Sequence, residues 1–149
     1  MKRLFKVESG NLINKAREYC ETKKHRFTLP RERVLSILKQ AKIPMGAYQI
    51  LEALSSSHEK VNPPTIYRAI EFWLKHGFIH RIESMNAFIV CCEHLQHDNF
   101  CIFICDGCQQ VIELDMCHLP APMTNDIVKK QLKITHASTE VHGKCRQCQ

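Results

Sequence analysis

Nowhere in the 149 residues is there an apolar run approaching the ~20 residues that a bilayer-spanning helix requires. The amino terminus, Met1 to Gly10, carries basic residues but not the apolar core of a secretory signal, so the cytosol is the expected compartment. Internal repeats and low-complexity tracts are lacking as well, which argues against a repeat architecture. Acidic residues are scarce in the first part of the chain. Residues 1–92 hold 8 Asp+Glu against 16 Lys+Arg, a balance of +8; residues 93–149 hold 7 against 5, a balance of −2, and the two add up to the net +6. A basic first part beside a slightly acidic second part suggests that the first part alone meets a polyanion. Cys and His are plentiful, at nine each. An odd number of Cys without a signal peptide argues for metal binding or redox chemistry over a disulfide framework. At 44% apolar the chain can form one ordinary core or two small ones.

The most informative stretch runs from Asn62 to His97. Asn62 stands where a helix cap is wanted, Pro63 and Pro64 suit a first turn, and Gly77 suits the residue after the last turn. Between them Ile66, Ala69, Ile70, Trp73 and Leu74 recur at i, i+3, i+4, i+7 and i+8, which is one buried stripe. Thr65, Tyr67, Arg68, Glu71 and Lys75 fall largely off that stripe. Arg68 can fork onto a guanine edge, and Tyr67 and Thr65 can meet phosphate or a thymine methyl. Taken alone, such a helix reads first as a core helix with a solvated face. Its neighbourhood gives it a function: Phe78 to Ser84 and Ala87 to Cys92 read as strands around a two-residue Met85-Asn86 turn. That register sets His80 opposite Cys91, with Cβ atoms about 4.5–5.5 Å apart, within the span of one zinc ion.

Upstream, Leu12, Ile13, Ala16, Tyr19 and Cys20 outline a first helix to about Lys24. Thr28 opens a second, with Val34, Leu35, Ile37, Leu38 and Ala41 as its stripe. Ala47, Ile50, Leu51 and Leu54 outline a third, with Tyr48 near its start as a base or phosphate contact. Short helices followed by a hairpin are the order of a winged helix-turn-helix, whose last helix enters the major groove. Arg31, Arg33, Lys39, Lys60, Lys75 and Arg81 are candidates for phosphate contacts. The polar segment 93–99 lacks apolar periodicity and marks a boundary. Beyond it, strands at Phe100–Ile104 and Gln110–Leu114, a helix over Pro120–Lys133 with Met123, Ile127, Val128 and Leu132 inside, and a strand over Ile134–Val141 are expected. A second domain of this size needs a staple or a partner.

The staple is legible. Cys105-x2-Cys108 and Cys145-x2-Cys148 form two knuckles that together close a tetrahedral all-thiolate site with no open position, as in structural zinc. A redox dithiol would need one CxxC near a βαβ pattern. A looser second constellation comprises His80, Cys91, one of His94 or His97, and a carboxylate near Glu113. A thiolate among imidazoles suits zinc over iron(II) or manganese. Either Cys91 or Cys92 can face the metal, but not both, since neighbouring strand residues point to opposite faces.

Together, Pro63-Pro-Thr-Ile-Tyr-Arg-Ala-Ile70, Gly77-Phe-Ile-His80, Phe103-Ile-Cys-Asp-Gly-Cys108 and His142-Gly-Lys-Cys-Arg-Gln-Cys148 resemble the ferric uptake regulator superfamily, from about Leu12 to Cys148. Within it, the stretch from His80 through Glu83-Ser-Met-Asn86 to Cys91, with Glu113 beyond Cys108, is most similar to the zinc uptake regulator branch. The resemblance implies an α+β chain: a winged helix-turn-helix DNA-binding domain (1–92), a hinge (93–99) and a small α/β dimerisation domain with a four-cysteine zinc site (100–149). It implies a cytoplasmic homodimeric repressor, neither enzyme nor membrane protein and without a small-molecule substrate. Such a repressor binds AT-rich palindromic operators of zinc-uptake genes when zinc is replete. About two zinc ions per subunit are implied, one structural on Cys105, Cys108, Cys145 and Cys148 and one regulatory on His80, Cys91, His97 and Glu113. Operator contacts fall to Tyr48, Tyr67 and Arg68. The segment between Cys91 and Cys105 is one residue shorter than in that branch, which leaves His94 as the other choice for the third regulatory ligand. His118 and His136 would serve any further site. The competing expectation within the superfamily is a response to iron or peroxide.

Overall fold

The computed structural model describes residues 12–56, 62–91, 99–114, 121–135 and 137–149, the side chains of residues 99 and 100 excepted. The described residues form two compact units, the first up to Cys91 and the second from Asn99 onward. Of the residues singled out above, Lys60, Cys92, His94, His97, His118 and His136 lie outside the described residues.

The first unit contains α1 (Leu12–Thr22), α2 (Leu29–Gln40), α3 (Ala47–Ser55), α4 (Pro63–Lys75), β1 (Ile79–Ile82) and β2 (Ala87–Val90). Periodicity explains the helices. Leu12, Ala16 and Cys20 are buried on α1, Val34, Leu35 and Leu38 on α2, Ile50 and Leu54 on α3, and Ile66, Ala69, Ile70 and Trp73 on α4. Phe78, Ile79, Phe88 and Val90 join them in one core. Trp73 is fully buried, and its indole N–H donates to the Arg31 carbonyl at 2.8 Å, so the largest core side chain leaves no polar atom unsatisfied. Asn62 occupies the position before α4, but its side chain makes no capping bond. Pro63 and Pro64 remove the first two N–H donors, and the Thr65 N–H bonds to the Asn62 carbonyl at 3.0 Å. Gly77, at φ 71°, makes the left-handed turn from α4 to the hairpin.

The hairpin register differs from the expectation. Ile82, not Ser84, pairs with Ala87, and His80 pairs with Ile89. Four residues, Glu83 to Asn86, make the loop. Asn86 sits at φ 47° and its side-chain oxygen accepts from Arg81 at 2.9 Å, while Arg81 also pairs with Glu83 at 3.4 Å. A two-residue turn needs positive φ at both central positions, which Met85 resists; the longer loop needs it only at Asn86. Cys91 donates its N–H to the Phe78 carbonyl at 2.9 Å, so it stands two residues along from the partner of His80. Met45 pairs with Phe88 and adds a third short segment to the sheet.

The second unit contains β3 (Asn99–Cys105), β4 (Val111–Glu113), α5 (Ala121–Lys129) and β5 (Ala137–Gly143), in sheet order β4-β3-β5. β3 pairs antiparallel with β4 and parallel with β5. Cys101, Ile102, Ile104, Cys105 and Val111 are buried. The apolar side of α5 is not inside, as its spacing suggested. No α5 residue is buried; Met123 is 51% exposed and Val128 69% exposed, with Leu132 beyond the helix at 59%. A helix can follow an amphipathic pattern whose covering surface is absent from its own chain.

Candidate metal centre and nucleic-acid interface

Strand pairing builds the four-cysteine cluster. The parallel register places Cys105, at the end of β3, beside Gly143, at the end of β5, so both knuckles leave the sheet at the same edge. The Asp106 N–H bonds to the Gly143 carbonyl at 2.7 Å and ties the first knuckle to β5. Gln109, at φ 58°, turns the chain back toward β4. The sulfurs of Cys105, Cys108, Cys145 and Cys148 all lie within 4.8 Å of one another, and those of Cys108 and Cys145 are 3.8 Å apart. A tetrahedral ion with sulfur at 2.3 Å would set its ligands about 3.8 Å apart, so the cluster has the dimensions of a zinc–thiolate site. Among the described residues it is the one group of three or more metal-ligating side chains so arranged.

The electrostatics favour a cation. The N–H of Cys145, 3.3 Å from the Cys105 sulfur, and that of Cys108 hold the Cys105 thiol down to about 6. The neighbouring thiols of Cys145, Cys105 and Cys108 push Cys148 up to about 12. Without a positive charge between them, four sulfurs at this spacing cannot all be thiolates; a divalent ion removes that penalty. Gly107 is a residue that motif reading passed over, its only signal being its place inside the CxxC. A Cβ there would lie 2.9 Å from Cys148 Cβ and 3.0 Å from its sulfur. Gly107→Ala therefore forces the knuckles apart at a cost of about 1–3 kcal/mol, measurable as faster zinc release to a colorimetric chelator. Release at the wild-type rate would contradict the packing argument.

The wing carries the second candidate set. His80 follows the half-buried side of β1, and its Nε2 is a buried atom; Cys91 is buried at the end of β2. Because side chains alternate with a period of two, the two-residue offset leaves His80 and Cys91 on the same face of the hairpin, as diagonal neighbours instead of a direct pair. An imidazole and a thiol on one face are donor types that a zinc ion takes readily. Glu113 lies on β4 of the other unit, partly exposed and paired with Ile102.

On α4 the face opposite the core carries Tyr67 and Arg68, both exposed, with Thr65 half-buried nearby in the first turn. Tyr67 is 48% exposed, and Tyr48, on α3, is 76% exposed. An aromatic ring left in water beside an exposed Arg, as Tyr67 is beside Arg68, is the kind of surface that binds a polyanion.

Residues 22–142 match the family model of the ferric uptake regulator family. The zinc uptake regulation protein of Escherichia coli (strain K12) is 31% identical to this chain over 147 residues, spanning 96% of this chain and 84% of that protein. The structure of a zinc uptake regulator complexed with zinc and DNA superposes with a TM-score of 0.86 at 30% identity, covering 96% of each chain. The crystal structure of holo XcZur does so with a TM-score of 0.80 at 30% identity, covering 91% of this chain and 95% of that one. The chain belongs to the ferric uptake regulator family.

Proposed function

We propose that this protein is a zinc-responsive transcriptional repressor that, as a homodimer, binds palindromic AT-rich operators of zinc-uptake genes in the cytoplasm. The observation that carries the reading is the thiolate–imidazole face of the wing, His80 with Cys91, joined by one turn to the helix that presents Tyr67 and Arg68. Likeness to a zinc uptake regulator complexed with zinc and DNA supports it. The division into a DNA-binding domain (1–92), a hinge (93–99) and a dimerisation domain (100–149) is part of the same proposal.

Cys105, Cys108, Cys145 and Cys148 would hold a structural zinc, and His80, Cys91, His97 and Glu113 a regulatory one, making about two per subunit. A zinc held by these residues would supply the positive charge that a thiolate donor calls for. The chain's own residues supply the rest: Tyr48, Thr65, Tyr67 and Arg68 meet the operator, with Arg68 placed for a guanine edge. Support for the homodimer comes from the exposed side of α5. Met123 and Val128 gain by burial against a second copy, and among the described residues β5 pairs on one side only. A closed four-thiolate site has no open position for substrate, which supports a regulator over an enzyme. A thiolate donor also weighs against iron(II) or manganese as the signal.

A gel shift of the purified protein on a zinc-uptake operator, with and without mild chelation, tests the reading. Chelation that removes the exchangeable zinc and spares the four-thiolate zinc should release the DNA, and added zinc should restore binding. Operator binding indifferent to that zinc would refute it.

A further inference from the structure

One side-chain cluster of the first unit has no part in the metal reading, and its two histidines have none in the DNA reading either. At the carboxyl end of α4, His76 closes the helix, its N–H bonding to the Phe72 carbonyl at 3.1 Å. Its Nδ1 lies 2.8 Å from the Tyr19 hydroxyl on α1. The ring of His25, from the connection between α1 and α2, sits against it with centroids 4.7 Å apart at 49°. Phe72 borders both imidazoles, at 4.4 Å from His76 and 5.4 Å from His25. Two positive charges complete the cluster. Arg31 of α2 stacks its guanidinium 3.4 Å over Phe72, and Lys75 precedes His76 on α4. On the hairpin side stands Phe78, uncharged and edge-on to Tyr19 at 5.2 Å. The groups that bear electrostatically on His76 are thus His25, Lys75 and Arg31, with no acid among them.

We propose that the His25–His76 pair makes the DNA-binding unit acid-sensitive, a proton-driven input separate from zinc. Burial holds the His76 imidazole below the usual histidine range, and His25, Lys75 and Arg31 each lower it further. The carboxyl end of a helix ordinarily favours an imidazolium, and here the burial and the cations outweigh it. The same cations disfavour a divalent ion between the two rings, so the pair responds to protons and not to metal.

The sign follows from linkage. The fold prefers neutral His76, so its contribution is complete above the ordinary histidine value of about 6.5 and is lost as pH falls through the depressed one. Between those two values the unfolded chain binds the proton more readily than the folded one. A charged His76 among His25, Lys75 and Arg31 pushes the α1–α2 connection off the end of α4. The buried Trp73, bonded to the Arg31 carbonyl, sits next to that event and is the only Trp in the chain. The consequence for operator binding rests on the repressor reading; the consequence for stability does not.

The test uses the full zinc-loaded chain. The Cε1 proton of His76, followed by NMR, should titrate below about 6.5, and His25→Gln should move that midpoint upward. Thermal unfolding read by Trp73 fluorescence at about pH 7.5 and about pH 5.5 compares wild type with His76→Gln, which removes the titration and keeps the polarity. The wild type should lose at least about 3 °C more on acidification than the variant. Zinc loss in acid affects both proteins and cancels in the difference. Equal losses, or a midpoint at or above 6.5, would overturn the inference and leave the zinc reading intact, because His76 ligates nothing in it.

Discussion

Cys148→Ser yields a chain that carries one zinc fewer and whose second unit no longer unfolds as a cooperative whole. The expectation rests on size and on charge. The core of the second unit is Cys101, Ile102, Ile104, Cys105 and Val111, too little apolar burial to hold a fold of this length alone. Structural zinc in small modules supplies about 10–16 kcal/mol of apparent binding free energy, which exceeds the whole stability of such a unit. Serine is a poor zinc ligand, and the three remaining sulfurs stay crowded without the ion that lets them ionise together. The first unit has its own core around Trp73 and should be unaffected, giving an internal control. Zinc per chain by atomic emission and a melt followed by far-ultraviolet circular dichroism make the measurement, with Trp73 fluorescence tracking the first unit. A variant that keeps its zinc and its melting profile would show that the quartet is not the staple.

Cys91→Ser has a different signature. It keeps the four-thiolate zinc and the fold, loses the exchangeable zinc, and at saturating zinc holds the operator about 10–100-fold more weakly than wild type. His80→Ala should do the same, and the double variant should be little worse than either, because ligands of one ion act as a unit. The burial of Cys91 and of His80 Nε2 on one face of the wing motivates the prediction. Cys92→Ser is the comparison that matters. The alternation of strand side chains lets one of the two cysteines face the metal, so Cys92→Ser should leave zinc-dependent binding close to wild type. Zinc-dependent operator binding by Cys91→Ser at full strength would remove the thiolate from the sensor and reopen an iron or peroxide response.

Much of this could be read along the chain. The four helices of the first unit follow from local terms: apolar residues at i, i+3 and i+4, Pro63 and Pro64 at a helix start, Gly77 after its end. The CxxC knuckles announce themselves for the same reason, since each bite depends on two residues of spacing. What failed depended on side-chain ties and on partners that apolar spacing does not show. The hairpin slipped by two residues because Arg81, Asn86 and Glu83 tie a four-residue loop together and Phe88 is pinned by Met45, and none of this is visible in a strand-and-turn pattern. The pattern of α5 gave its amphipathic side but not the surface that would cover it, since among the described residues nothing buries Met123 and Val128.

The amino acids in order thus determined the helices, the knuckles and the ligand types, because those are set within a few residues by sterics, periodicity and donor chemistry. Tertiary structure alone decided how the two knuckles reach each other and what else is brought together. The parallel pairing of β3 with β5 brings Cys105 to Cys145, and the packing of α4 on α1 and α2 brings His76 to His25 and Arg31. Contacts of that kind depend on burial and strand pairing across the whole chain, and no local spacing encodes them.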